Sequence, residues 1–273
     1  MKVLTIGNSF TWSLRSCFPA IAEEQKEELK LEFANFGGCE FRRHWAYITA
    51  EENEPCCKMY KEYTMKLREL LASDDWDVVT IQSASHESWD YANYTPFAGL
   101  IIDYVKKHAP GAKIIIQQTW AYREDAPRLA EWGFDRNEMY RRLDQAYRKL
   151  GTEYNLPIIP TGKAVELALA EQPCKFVNYD PDLLLTLRWP DLPPQANSIV
   201  GACSWRKDPA TGEMTLRRDT IHLNIRGQYL QACVWYGFLF NKDPRDIQWV
   251  HEEVSGSDAA FLRSIAARAL KEF

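Results

Sequence analysis

The chain has 273 residues, enough for one large α/β domain with a substantial core and short for two full domains. Its 46% apolar and 26% charged residues are ordinary for a soluble globular protein, and a net charge of −5 excludes the basic footprint of a nucleic-acid binder. Seven cysteines, an odd number with one adjacent pair (Cys56-Cys57) and no C-x-x-C, fit neither a disulfide framework nor a zinc site, so free thiols in a reducing compartment are expected.

Val3 to Ile6 reads as a first strand that ends in Gly7-Asn8-Ser9-Phe10. The stretch from about Cys17 to Leu29 is amphipathic and predicts a helix. Leu31 to Ala34 is a second strand, running into Asn35-Phe36-Gly37-Gly38. Lys58 to Ala72 predicts a helix, with Met59, Tyr63, Leu67, Leu70 and Leu71 near one face. Asp77 to Gln82 is a third strand, whose near-continuous apolar content places it in the interior. Phe97 to His108 is helical, Pro110-Gly111 punctuates, and Lys113 to Gln118 is a fourth strand. Asn137 to Tyr154 is helical, Leu156 to Pro160 is a fifth strand, and a helix follows through Gly162 to Glu171. Strand alternating with helix in this way predicts a doubly wound parallel sheet.

The alternation then breaks. Residues 173–216 are rich in Pro, Asp and Trp and carry no long helical period, so they form either a lid or pocket wall or a plain surface excursion. Within them, Lys207 to Glu213 predicts a hairpin turn between short strands. Arg226 to Phe240 predicts a strongly apolar helix, and a last helix runs from about Asp258 to Leu270. There is no internal repeat and no linker, which predicts a single domain over residues 1–273. Met1-Lys2 leads directly into the first strand, with no basic region and apolar core of a leader before it, and no apolar run reaches 18 residues. A cytoplasmic protein without a membrane partner is the expectation.

The chemistry gathers at strand tips. A serine at the C-terminal end of the opening strand of such a sheet lies where these sheets hold ligands. A serine hydroxyl is a poor nucleophile until a base takes its proton. The best base candidate is His222, three residues after Asp219 and at the start of an apolar helix; that spacing lets the carboxylate reach the ring. Ser9, Asp219 and His222 thus supply the parts of a serine hydrolase. The backbone N–H of Ser9, the N–H of Gly38 (brought near by the absence of a Cβ) and the side-chain amide of Gln82 are candidate oxyanion donors. Trp12, His44, Trp120 and Tyr122 leave the sheet on the same edge and are candidates for the substrate wall. The load of 10 Trp and 13 Tyr leans toward a carbohydrate surface. No His, Cys or carboxylate cluster has metal-ligand spacing, and no Gly-rich phosphate loop occurs, so neither a metal nor a cofactor is expected.

Gly7-Asn8-Ser9-Phe10, Gly37-Gly38-Cys39, Gln82-Ser83-Ala84-Ser85, Thr119-Trp120-Ala121-Tyr122, Pro160-Thr161-Gly162 and Asp219-x-x-His222 together resemble the SGNH (GDSL-like) hydrolases, in a branch carrying Gly-Asn-Ser-Phe. The resemblance runs from residue 3 to about residue 240. It implies a flavodoxin-like three-layer α/β/α sandwich with a five-stranded parallel sheet, a Ser-His-Asp triad, and an oxyanion hole built from Ser9, Gly38 and an amide side chain. It further implies removal of acetyl or other short acyl groups, often from carbohydrate. Two positions depart from the better-known pattern: Asn8 replaces the Asp of Gly-Asp-Ser, and Gln82 stands where an Asn is usual.

The expected function is therefore a serine esterase acting on a small-molecule or glycan ester. The competing reading keeps the fold and drops the chemistry, giving a carbohydrate-binding protein with a degenerate pocket. The sequence carries no sign of oligomeric state.

Overall fold

In the computed structural model, which describes residues 1–273, five short parallel strands form the central sheet. They are β1 (Lys2–Gly7), β2 (Lys30–Asn35), β3 (Val78–Ile81), β4 (Lys113–Gln117) and β5 (Ile158–Ile159), in the order β2-β1-β3-β4-β5. All four residues of β3 are buried, as expected of a central parallel strand covered on both faces. Ser9–Trp12 (α1) and Phe18–Glu24 (α2) follow β1; Phe41–Asn53 (α3) and Leu67–Leu71 (α4) follow β2. Phe97–His108 (α5) precedes β4, Pro127–Trp132 (α6) and Arg136–Tyr154 (α7) follow it, and Thr161–Glu171 (α8) follows β5. After a single turn at Leu183–Thr186 (α9), an antiparallel ribbon of β6 (Val200–Lys207) and β7 (Met214–Leu223) leads into α10 (Ile225–Phe240) and α11 (Gly256–Glu272).

The helices α2, α8, α10 and α11 pack together on one face of the sheet, and α3, α4 and α5 on the other. This is the doubly wound parallel sheet the alternation predicts, in the three layers that the resemblance implies. α10 is buried on nearly every side between neighbours, which explains its unbroken apolar sequence. No helix is long and apolar enough to cross a membrane.

Several expected elements differ. The stretch 17–29 is helical only to Glu24, since the chain must turn back to enter β2 at Lys30. Helix 58–72 shrinks to Leu67–Leu71: Lys61, Glu62 and Tyr63 all take positive φ, and the buried Glu51 carboxylate accepts the N–H groups of Met59 and Leu67. The helix of that region is α3 instead. Its buried positions are Phe41, His44, Ile48 and Glu51, a helical period in which two of four residues are polar. The hairpin across Lys207–Glu213 is present as the β6–β7 turn, with Asp208 accepting the N–H groups of Ala210 and Thr211. β7 is longer than expected and carries both Asp219 and His222, which therefore lie on a strand and not at a helix start. Asn224, not Asp219, caps α10.

Candidate active site

The register of the sheet creates the site. Gly7 pairs with Asn35 on β2, and Ile6 pairs with Ile81 on β3. The residue that follows β1 is thus flanked by the loops that follow β2 and β3, at the edge where parallel sheets bind ligands. Asn8 occupies that point, and its side chain uses its full hydrogen-bonding capacity. Its Oδ1 accepts from Phe10 N (3.1 Å) and Gln82 Nε2 (2.6 Å), while its Nδ2 donates to Cys39 O (3.2 Å) and Ser83 O (3.3 Å). Asn8 therefore caps α1 and ties three strand tips together.

The two donor bonds explain the departure from Gly-Asp-Ser, because an ionised Asp has no proton for two carbonyl oxygens. Asn8→Asp is expected to cost at least about 2 kcal/mol, since two buried carbonyls lose their donors and face a carboxylate. Equilibrium urea unfolding measures this. A change within about 0.5 kcal/mol would mean that these bonds contribute little.

Gln82 has a different place from the one expected. Its aliphatic stem packs on Gly7, where an added Cβ would come within 2.9 Å of Gln82 Cγ. Its amide donates to Asn8, its Oε1 is buried without a partner, and the residue does not line the cavity at Ser9. The extra methylene relative to Asn carries the amide onto Asn8, so Gln82 braces the serine loop from below.

Ser9 is the first residue of α1 and is half-buried. Its Oγ lies 2.8 Å from His222 Nε2, and His222 Nδ1 lies 2.7 Å from Asp219 Oδ2. The other carboxylate oxygen, Oδ1, accepts the backbone N–H groups of Ile221 (2.8 Å) and His222 (2.9 Å). This local turn bends the end of β7 so that residues 219 and 222 face each other. Burial pushes the Asp219 carboxyl up, but the His222 side chain and the two backbone N–H groups outweigh it and hold it at about 2. An ionised Asp219 accepts from Nδ1–H, which leaves the lone pair of Nε2 to receive the serine proton.

The N–H of Ser9 has no intrahelical acceptor, as for every first-turn position. Gly38, like Gln82, is not among the residues that line the cavity at Ser9; it is exposed, and its N–H meets no acceptor of the chain. Its φ is +59°, while an added Cβ would stand in open space. The left-handed backbone favours glycine here.

In front of Ser9 is a cavity of about 260 Å³ lined by Ser9, Trp12, Ser13, Ser16, Trp120, His222, Leu223 and Gln228. Trp12 and Trp120 thus lie where the sequence places them, although Trp120 is fully buried and contributes to the floor, not to an open wall. His44 and Tyr122 do not line it. His44 is fully buried behind the serine loop, with Nε2 3.0 Å from Gly7 O and Nδ1 3.1 Å from the Tyr60 hydroxyl. Burial drives its imidazole down to about 4, so it stays neutral and braces Gly7. Tyr122 is also buried, its hydroxyl 2.9 Å from Ser85 Oγ. Ser13 and Ser16 stand four and seven residues after Ser9, a helical spacing that would have marked them; Gln228 carries no such signal. A second hollow, of about 1020 Å³, lies at the opposite end of the sheet, near Asp74, His108 and Phe238, away from these groups.

One His–carboxylate cluster, invisible in sequence spacing, does form. Glu40 and His86–Glu87, from the loops after β2 and β3, bring their ligand atoms within 4.8 Å of one another. Glu40 Oε1 is 3.0 Å from His86 Nε2, and Arg42 reaches Glu87 at 2.9 Å and Glu40 at 3.6 Å. The arginine already supplies the cluster with a counter-charge.

The family model of a domain of unknown function, DUF4886, matches residues 2–172. No functionally curated protein matches the chain by sequence. A DUF4886 family protein from Bacteroides uniformis is similar in structure, with a TM-score of 0.75 at 21% identity over 99% of this chain and 95% of that one. A candidate SGNH hydrolase from Slackia heliotrinireducens matches with a TM-score of 0.53 at 18% identity, covering 86% and 96%. A candidate GDSL-like lipase from Parabacteroides merdae matches with a TM-score of 0.51 at 15% identity, covering 88% and 96%. The fold is therefore one shared with SGNH/GDSL-like hydrolases.

Proposed function

We propose that this chain, which belongs to the DUF4886 family, is a serine esterase that removes a short acyl group, acetyl above all, from a carbohydrate or similar small alcohol. The observation that carries the reading is the hydrogen-bonded series Ser9 Oγ, His222 Nε2, His222 Nδ1, Asp219 Oδ2, with steps of 2.8 and 2.7 Å, open to a cavity. Within the SGNH-like fold we assign the chain to a branch marked by Gly7-Asn8-Ser9-Phe10.

In this reading Ser9 Oγ attacks the ester carbonyl carbon while its proton passes to His222 Nε2. The carbonyl oxygen becomes an oxyanion, to which the N–H groups of Ser9 and Gly38 donate. Collapse of this intermediate expels the alcohol, protonated by His222, and leaves an acyl-serine. Water, deprotonated by His222, then attacks that ester; the carboxylic acid departs and Ser9 regains its proton. Asp219 holds the ring in the required tautomer throughout. A cavity of about 260 Å³ suits a short acyl chain, and Trp12 beside Ser13, Ser16 and Gln228 offers a flat apolar surface with polar neighbours, as a sugar face requires.

The test has two parts. Hydrolysis of p-nitrophenyl acetate and release of acetate from acetylated glycans should both be measurable, and a fluorophosphonate should label Ser9, read by peptide mass spectrometry. Absence of labelling and of any ester cleavage would reject the reading. Trp12→Ala is expected to raise KM for an acetylated glycan roughly fivefold, from loss of about 1 kcal/mol of apolar contact, with little change in kcat toward p-nitrophenyl acetate. An unchanged KM would take Trp12 out of the substrate surface.

A further inference from the structure

The Ser9–His222 pair joins two parts of the chain 213 residues apart, and a shift of about 1 Å between such groups can cost about a hundredfold in rate. Something must set their separation, and Trp120 touches both sides. Its indole stacks on Phe10, the residue after Ser9, with ring centroids 4.1 Å apart and planes within 6°. Its Nε1–H donates to the carbonyl of Ile221, the residue before His222, at 2.9 Å. Phe10 in turn meets the imidazole edge-on at 5.4 Å between centroids. Trp120 and Phe10 are both fully buried, so neither has room to drift.

The segment that follows adds two further ties to the same stretch of β7. The N–H of Arg123 donates to the carbonyl of Thr220 at 2.8 Å. Arg218 Nη2 donates to the backbone oxygen of Asp125 at 2.9 Å and to its Oδ2 at 2.6 Å, while Asp125 also binds Arg123 Nε at 2.6 Å. Residues 218, 220 and 221, on either side of Asp219, are therefore all held by residues 120–125.

We propose that Trp120 is a positioning residue that sets the Ser9–His222 separation, with Arg123, Asp125 and Arg218 anchoring the strand it grips. This rests on the esterase reading for its kinetic consequence but not for its geometric one. It assigns Trp120 a part beyond lining the cavity. It also gives a physical reason for the block Thr119-Trp120-Ala121-Tyr122 to sit after β4: the tip of β4 is the point from which one indole reaches both the serine turn and the end of β7.

The test is Trp120→Phe, which keeps a ring against Phe10 and removes the N–H. A loss in kcat of about 10- to 100-fold is expected, with KM for a short ester within about twofold. Independently of activity, the downfield proton resonance of His222 Nδ1–H, assigned by its absence in His222→Ala, should broaden or move upfield as the bond to Asp219 loosens. Asp125→Asn weakens the anchor without touching the serine side and should move the same resonance in the same direction; it also serves if Trp120→Phe does not fold. A folded Trp120→Phe protein with unchanged kcat and an unchanged imidazole resonance would overturn the proposal and leave Trp120 as packing. If the wild-type protein cleaves no ester, the esterase reading falls, and the resonance still decides whether Trp120 holds the histidine.

Discussion

Replacing Ser9 with alanine is expected to lower kcat toward p-nitrophenyl acetate by about 10³-fold or more while leaving the protein folded. The substitution removes one atom, the Oγ that lies 2.8 Å from His222 Nε2. Nothing else in the serine turn depends on it. Asn8 still caps α1 through Phe10 N, Phe10 still packs on Trp120, and the two bonds from Asn8 Nδ2 to Cys39 and Ser83 remain. Stability should therefore stay within about 0.5 kcal/mol, as for a half-exposed side chain without structural bonds. Residual hydrolysis above background would come from the free N–H groups and from binding. A folded Ser9→Ala protein that retains most of its activity would remove Ser9 as nucleophile. Such a result would direct attention to the hydroxyls of Ser13 and Ser16, which share its cavity.

How much of this was legible before folding differs from element to element. The five strands were, because short apolar runs between turn signals leave little choice, and so were the long amphipathic helices. Helix α3 was not, because its buried face carries His44 and Glu51, whose partners (Gly7, Tyr60, Met59 and Leu67) come from elsewhere in the chain. The apolar spacing of Met59, Tyr63 and Leu67 pointed instead to a helix that the consecutive left-handed residues Lys61, Glu62 and Tyr63 prevent. Ser9, Asp219 and His222 could be named from their residue types and chain order. That the last two sit on a strand could not, since their polar side chains interrupt the alternation that would mark β7. His44, Tyr122 and Gln82 take places other than those expected, for a common reason. Each lies in a segment that leaves the sheet at this edge, but whether its side chain points into the cavity or beneath the serine turn depends on three-dimensional neighbours such as Gly7 and Ser85. Trp120 shows the same limit from the other side, because its position after β4 was visible but its bond to Ile221 was not.

Asp219→Asn is expected to preserve the fold and to lower kcat by roughly 10⁴-fold, because it reverses the tautomer of His222. Asp219 Oδ1 accepts two backbone N–H groups, and Oδ2 accepts from Nδ1. An asparagine keeps its carbonyl oxygen on the backbone donors and so turns its NH₂ toward Nδ1. The imidazole must then accept at Nδ1 and carry its proton on Nε2, which faces Ser9 and can no longer take a proton from it. In the wild-type protein the carboxylate is held at about 2, so it is ionised throughout the neutral range. The same shift has a sign for stability. Since the folded value lies below the ordinary 3.8, the contribution of Asp219 is present above about pH 4 and is lost as the pH falls toward 2. The difference in urea midpoint between wild-type and Asp219→Asn proteins should accordingly shrink over that window. Should the two proteins instead differ equally at pH 2 and pH 7, the charge of Asp219 would play no part in holding the His222 turn.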